Sequence, residues 1–151
     1  MSDAMLDRIT GEMTTAMKAR DAETLSTLRM LKAALMEAKI AKKNAPLSPE
    51  EELEIVSRYE KKRRETLEEC RKVGREDLAA KEEFEIGVLR RFLPEQLDEA
   101  AVRGAVARAV AATGATSARE MGKVMGVLMK ELKGRADGDL VSRLVKEALA
   151  P

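Results

Sequence analysis

The chain has 151 residues, enough for one ordinary domain or two small ones, and its 44% hydrophobic residues are sufficient for a buried core. Its 28 basic residues nearly cancel its 27 acidic ones, which excludes the global positive field that draws nucleic acid or an anionic membrane to a strongly basic protein, so a charged site has to be local. With no His and a single Cys70, the sequence excludes an internal disulfide, a Cys/His zinc site and a Cys/His nucleophile pair, and a reducing cytoplasm is the expected setting.

Aromatic residues make up only 2% of the chain, while Leu, Val, Met and Ala are abundant, and this balance predicts an all-α fold. The opening MSDAMLDRITGEM carries acids where a secretion signal needs basic residues, and no apolar run approaches the ~18 residues of a membrane span, so neither secretion nor membrane insertion is expected. Met5, Leu6, Ile9, Met13, Ala16 and Met17 recur at the spacing of one helix face and predict a first helix over 3–20. Asp21 can cap a second helix, whose Leu25, Leu28, Leu31, Leu35 and Met36 repeat the pattern until the polar KKNAPLSPEE at 42–51. There Ser48, Pro49 and Glu51 form a start signal, with Ser as N-cap, Pro in the first turn and Glu completing a capping box.

The third helix thins to Tyr59, Leu67, Cys70 and Val73 on its apolar side, and a helix polar on nearly all sides is not expected in a core. A long projecting helical hairpin is therefore predicted, turning near Val73, Gly74 and Arg75 and returning through a fourth helix that strengthens into Ile86, Val88, Leu89, Phe92 and Leu93. Within it the run KKRR at 61–64 spreads around the helix among Glu60, Glu65, Glu68 and Glu69, which reads as a salt-bridged solvated surface. Pro94 stops the fourth helix. The predicted boundary lies there, giving an N-terminal helical domain over 1–94 and a C-terminal three-helix domain over 95–151. In the latter, Asp98 caps a helix that ends at Gly114, Thr116 or Ser117 caps the next, with Ser117 and Glu120 as a capping box, and Asp137 caps the last after Gly134.

The middle helix of that domain reads MGKVMGVLMKELKGRADGDLV from residue 121, and its Gly122 and Gly126 sit where glycine costs roughly 1 kcal/mol each relative to alanine. At 100° per residue, Met121, Val124, Met125, Leu128, Met129 and Leu132 gather on one side, while Arg119, Gly122, Gly126, Lys130 and Lys133 fall within roughly 80° of one another beside it. Lys123 borders that stripe, and Arg135 follows in the connection. Two readings are open: a surface bare of side chains that admits a phosphate backbone between cations, or a seam where a neighbouring helix packs closely. The first turn of the last helix adds N–H groups that could meet an anion, with Asp137 and Asp139 competing for them.

The segment MGKVMGVLMKELKGRADGDLVSRLV, together with TLRMLKAAL near the start and RFLPEQL at the boundary, resembles the GatB/YqeY family, and the whole chain is similar to its stand-alone YqeY-type members. The resemblance implies an N-terminal helical domain and a C-terminal three-helix domain like the tail of the B subunit of the glutamine-dependent amidotransferase that amidates Glu-tRNA and Asp-tRNA. In that enzyme the tail contacts tRNA and performs no chemistry, although the family's label borrows its carbon-nitrogen ligase activity with glutamine as amide donor. This chain has no His, no Gly-rich phosphate loop and no base near Cys70, so no catalytic residue, metal or cofactor is assigned. The expected partner is tRNA, held by Arg119, Gly122, Lys123, Gly126, Lys130, Lys133 and Arg135. The alternatives are an adaptor that docks on translation proteins without RNA contact, and an accessory to an amidotransferase active site. The oligomeric state is not legible.

Overall fold

The computed structural model describes residues 3–151, and these form seven α-helices and no strand. The chain divides into two compact units, Met1–Leu93 and Pro94–Pro151. The first holds α1 (Ala4–Lys18), α2 (Ala22–Ala41), α3 (Pro49–Lys72) and α4 (Glu76–Arg90). Leu6, Ile9, Leu28, Leu31, Leu35, Leu47, Val56, Val88, Leu89 and Phe92 form its core, with α1, α2 and α4 contributing residues of the apolar faces that their spacing predicts and α3 only Val56. Met17 and Met36, read as part of those faces, are instead 57% and 39% exposed.

The starts of the helices show which signals act locally. Asp21 accepts the Thr24 N–H at 3.1 Å, and Ser48 Oγ accepts that of Glu51 at 3.1 Å, with Pro49 in the first turn. The start of α1 is capped from a distance instead: the buried Glu52 carboxylate of α3 accepts the Met5 N–H at 3.1 Å. Asp3, in the left-handed region at φ 64°, accepts a hydrogen bond from Lys39 Nζ at 2.5 Å and from the Leu47 N–H at 3.3 Å. The Lys39 contact, with help from the Leu47 N–H, holds the Asp3 carboxyl below its usual value. Asp3 thus ties the start of α1 to the end of α2 and the loop that follows.

The hairpin of α3 and α4 turns at Val73–Arg75, where Gly74 takes φ 74°, and its two helices pack against each other. The expected salt bridges are present, but the surface is only partly solvated: Glu60, Arg63 and Arg64 turn into the seam, while Lys62, Glu65, Glu68 and Glu69 stay exposed. Glu60 is 3% exposed and receives Arg64 Nε at 2.7 Å and Arg90 Nε at 2.9 Å. Arg63 reaches across to Glu82 at 3.4 Å and to Glu85 at 3.9 Å, and lies over the Tyr59 ring. Nearer the tip, Arg71 pairs with Glu83 and Lys72 with Glu68. Here ion pairs occupy the place that leucines take elsewhere, which is why the apolar pattern fades from the sequence.

Glu82 and Glu85 share Arg63 and stand one turn apart, with Lys81 and Tyr59 nearby. Burial first, and then the Glu82 charge, hold the Glu85 carboxyl above its usual value. Such a shift means that folding favours the protonated form, so the stability cost appears as pH rises above the unfolded value and is complete above the folded one. Glu85→Gln is therefore expected to stabilise the first unit at neutral pH, by roughly the 0.2–0.5 kcal/mol of a relieved like-charge helix pair. The gain should vanish at acid pH, and thermal melts at two pH values check both parts.

The second unit holds α5 (Glu99–Thr113), α6 (Met121–Leu132) and α7 (Gly138–Leu149), packed around Val102, Val106, Val124, Leu128, Leu132, Val141, Leu144, Val145 and Leu149. On α7 the inward position near the end belongs to Leu149, while Ala148 is exposed. Asp98 accepts the Ala101 N–H at 2.8 Å, and Gly114 closes α5 in the left-handed region at φ 70°. Outside the core, Glu99, Arg103, Arg143 and Glu147 close a ring of ion pairs between α5 and α7, with distances of 2.7–3.5 Å.

Candidate nucleic-acid interface

The face of α6 that carries the glycines is built by what surrounds it. Val124, Leu128 and Leu132 are buried, and Met121, Met125 and Met129 pack half-buried against the same core, which fixes the rotation of the helix. Gly122, Lys123, Gly126 and Lys130 are consequently turned away from that core, and Arg119 before the helix and Lys133 just past its end are exposed as well. Arg119 lies one step earlier, in a 3-10 turn over Ala118–Glu120. That turn replaces the predicted capping box: no Ser117 side-chain cap forms, and the Glu120 carboxylate instead accepts the Thr116 N–H at 2.5 Å.

A Cβ placed on Gly122 or on Gly126 meets nothing within 4 Å. No helix of the second unit rests on them, which speaks against the pair as a packing seam within that unit. It also leaves the glycines as a net weakness of the isolated helix. Gly122→Ala and Gly126→Ala are each expected to raise the unfolding free energy by roughly 0.5–1 kcal/mol. Denaturant midpoints measure it, and a loss of stability would bring the packing seam back.

Gly134, with φ 76°, ends the helix and turns the chain towards Arg135, whose carbonyl accepts the Leu97 N–H at 2.8 Å. Gln96 Nε2 donates to the Gly134 carbonyl at 2.6 Å, so the segment that enters the unit is strapped to the turn after α6. Arg135 is half-buried in that turn. At the start of α7 the Asp137 carboxylate accepts the Asp139 N–H at 3.3 Å, the competition for these N–H groups that the sequence suggests.

The unit's other arginines are matched by acids, while Lys146 at the end of α7 is in no ion pair among the described residues. Arg103 and Arg143 are ringed by Glu99 and Glu147, and the pairing holds the Glu99 carboxyl below its usual value, chiefly through Arg143. Arg108 pairs with Glu131 at 3.7 Å. Among the described residues, Arg119, Lys123, Lys130, Lys133 and Arg135 take part in no ion pair. Lys123 and Lys130, uncompensated, therefore share the exposed side of α6 with Gly122 and Gly126, while Arg119 precedes the helix and Lys133 and Arg135 follow its end. Sequence reasoning missed Val127, which is 44% exposed beside Lys123 and Gly126; its position outside the apolar arc of the helix was the available signal.

These features define an all-helical protein of two small units, the second presenting a basic, glycine-faced helix. The chain belongs to the Yqey-like protein family, whose sequence profile matches residues 6–149. It is 28% identical to altered inheritance of mitochondria protein 41, mitochondrial, of Pyrenophora tritici-repentis, over 97% of this chain and 82% of that protein. An uncharacterized protein of Schizosaccharomyces pombe is 39% identical over 53% of this chain and 64% of its own length. A shorter match, 62% identical over 29 residues, relates the chain to the E subunit of the glutamyl-tRNA(Gln) amidotransferase of Methanobrevibacter smithii, covering 19% of this chain and 5% of that protein. No helix of the described residues is long and apolar enough to cross a membrane.

Proposed function

We propose that the second unit is a non-catalytic tRNA-binding module, with α6 laid against the RNA backbone. The observation that carries this reading is the set of five unpaired cations on α6 and at its two ends, together with the bare Gly122 and Gly126 surface, in a unit whose other arginines are matched by acids. Phosphates are the complement that such a face lacks: the glycines let the backbone approach, and Arg119, Lys123, Lys130, Lys133 and Arg135 supply charge along the helix and at its ends. With an aromatic content of 2%, the chain has few rings to stack on unpaired bases, so recognition would be of backbone and shape. The match to a tRNA-dependent amidotransferase supports tRNA as the nucleic acid and translation as the setting. The cytoplasm is the proposed compartment, and the mitochondrial name of one relative makes cell fractionation the direct comparison.

Titrating the full chain with unfractionated tRNA at several salt concentrations tests the proposal. Affinity should fall linearly on a log-log scale, with a slope of roughly −3 to −5 if most of the five cations meet phosphates. A rival reading has one observation in its favour: Val127 offers an exposed apolar residue on the border of the stripe, which suits a protein surface such as that of an amidotransferase. Under that reading tRNA gives no signal at any salt concentration.

A further inference from the structure

A different face of the chain carries a pattern that matches itself. Glu50, Glu54, Arg58 and Lys62 follow at every fourth residue of α3 and so share one side of the helix, in the order acid, acid, base, base. The inner two pair with each other at 3.2 Å while remaining 58% and 71% exposed. Among the described residues neither Glu50 nor Lys62 has an ion-pair partner, so the stripe ends in an open negative charge at one end and an open positive charge at the other.

Beside this stripe runs a shallow trough between α2 and α3. It consists of two recesses of about 390 and 400 Å³ that share Ala38, Ile55 and Arg58. Ala34, Ala38 and Ala41 from α2 and Ile55 and Tyr59 from α3 line its apolar part, and Glu54, Arg58 and Lys62 of the stripe line it as well, with Glu37, Lys42 and Glu51 completing a charged edge. Ile40, 63% exposed on α2, extends the apolar surface beyond Glu37. Alanines along one wall let another helix come close, and the charged stripe forms the rim on which such a helix would be registered.

We propose that this face is an isologous dimer interface, in which the α3 helices of two copies run antiparallel across the troughs. Antiparallel pairing about a two-fold axis between Glu54 and Arg58 sets Glu50 opposite Lys62 of the second copy and Glu54 opposite Arg58 of the second copy, so every member of the stripe meets its opposite. A parallel arrangement would set like charge against like. Around the axis the two Glu54 and two Arg58 side chains form a four-charge ring of the kind that Glu99, Arg103, Arg143 and Glu147 already form between α5 and α7. Glu50 and Lys62 gain the partners they lack, and Ile55, Tyr59 and Ile40 lose water.

Sedimentation equilibrium of the full chain tests the proposal. The wild type should show the mass of two chains at low ionic strength, shifting towards one chain as salt is added. Glu50→Lys with Glu54→Lys makes the stripe wholly basic, and Arg58→Glu with Lys62→Glu makes it wholly acidic; each variant alone should sediment as a single chain. Mixed in equal amounts, the two should return to the mass of two chains as a heterodimer. Far-UV spectra confirm that both keep their helices, and the changed positions lie outside the core. A wild type that stays a single chain up to ~0.1 mM overturns the proposal and leaves the trough to some other partner. So does a dimer that survives either charge reversal, or a mixture that fails to reassociate.

Discussion

Lys130→Ala combined with Lys133→Ala should weaken tRNA binding by about tenfold or more at low salt and flatten the log-log salt slope by roughly one unit for each phosphate that is no longer neutralised. Neither residue is in an ion pair among the described residues, so their removal leaves no acid stranded and the fold unchanged. Gly126→Leu should have the larger effect on binding. Its side chain would stand on the surface that the RNA backbone approaches, and binding should be abolished through bulk alone. The same substitution should leave the unfolding midpoint unchanged or raised, because a Cβ at 126 meets nothing within 4 Å and leucine favours the helix by roughly 1 kcal/mol. Loss of binding without loss of stability is thus the signature expected. A Gly126→Leu protein that binds tRNA as well as the wild type would remove α6 from the interface, and a lysine pair that leaves the salt slope untouched would remove its charge.

The largest stability effect is expected at the hairpin seam. Replacing Arg64 and Arg90 together by methionine leaves the Glu60 carboxylate, 3% exposed, without either of its two cations. An uncompensated buried charge costs about 3–5 kcal/mol. For a unit of this size that corresponds to a fall in melting temperature of at least ~12 °C. Adding Glu60→Leu to the same variant removes the charge altogether and should recover much of the loss, since ion pairs replaced by apolar groups of similar volume are often neutral. A double-arginine variant that melts like the wild type would show that Glu60 finds water or another partner, and that the seam does not depend on the pairs.

Legibility followed the range of the interactions. Signals confined to one turn of chain were readable: Asp21, Ser48 with Pro49, Asp98 and Asp137 each begin a helix, and Gly114 and Gly134 follow the ends of α5 and α6 in the left-handed region. The leucine, valine and isoleucine faces were readable for the same reason, because helical periodicity is written locally. What escaped was long-range and polar. Glu52 caps α1 from α3, Asp3 binds Lys39 and Leu47, and Arg63 reaches Glu82 and Glu85 across the hairpin. A carboxylate in the first turn of its own helix looks satisfied by the helix dipole, and nothing in the adjacent residues shows that it serves another helix. At the candidate interface, the stripe of glycine and positive charge was visible from the spacing. The absence of a neighbouring helix over Gly122 and Gly126 was not, since a wheel describes one helix and cannot show what lies against it. Ser117 failed as a cap for a related reason: the motif fits the sequence, but a 3-10 turn intervenes and Glu120 turns back to Thr116.

The strap between Leu97 and Arg135 makes one amide a reporter of events on the basic face. The Leu97 N–H can exchange its hydrogen with solvent only when its 2.8 Å bond to the Arg135 carbonyl opens, which requires the turn after α6 to part from the segment that enters the unit. Gln96, bonded to the Gly134 carbonyl, must let go in the same movement. A polyanion seated on Lys133 and Arg135 restrains that turn from its outer side, so the opening becomes rarer and the exchange of this single amide slows. Occupancy of the surface would be written in the lifetime of a hydrogen bond that no ligand touches.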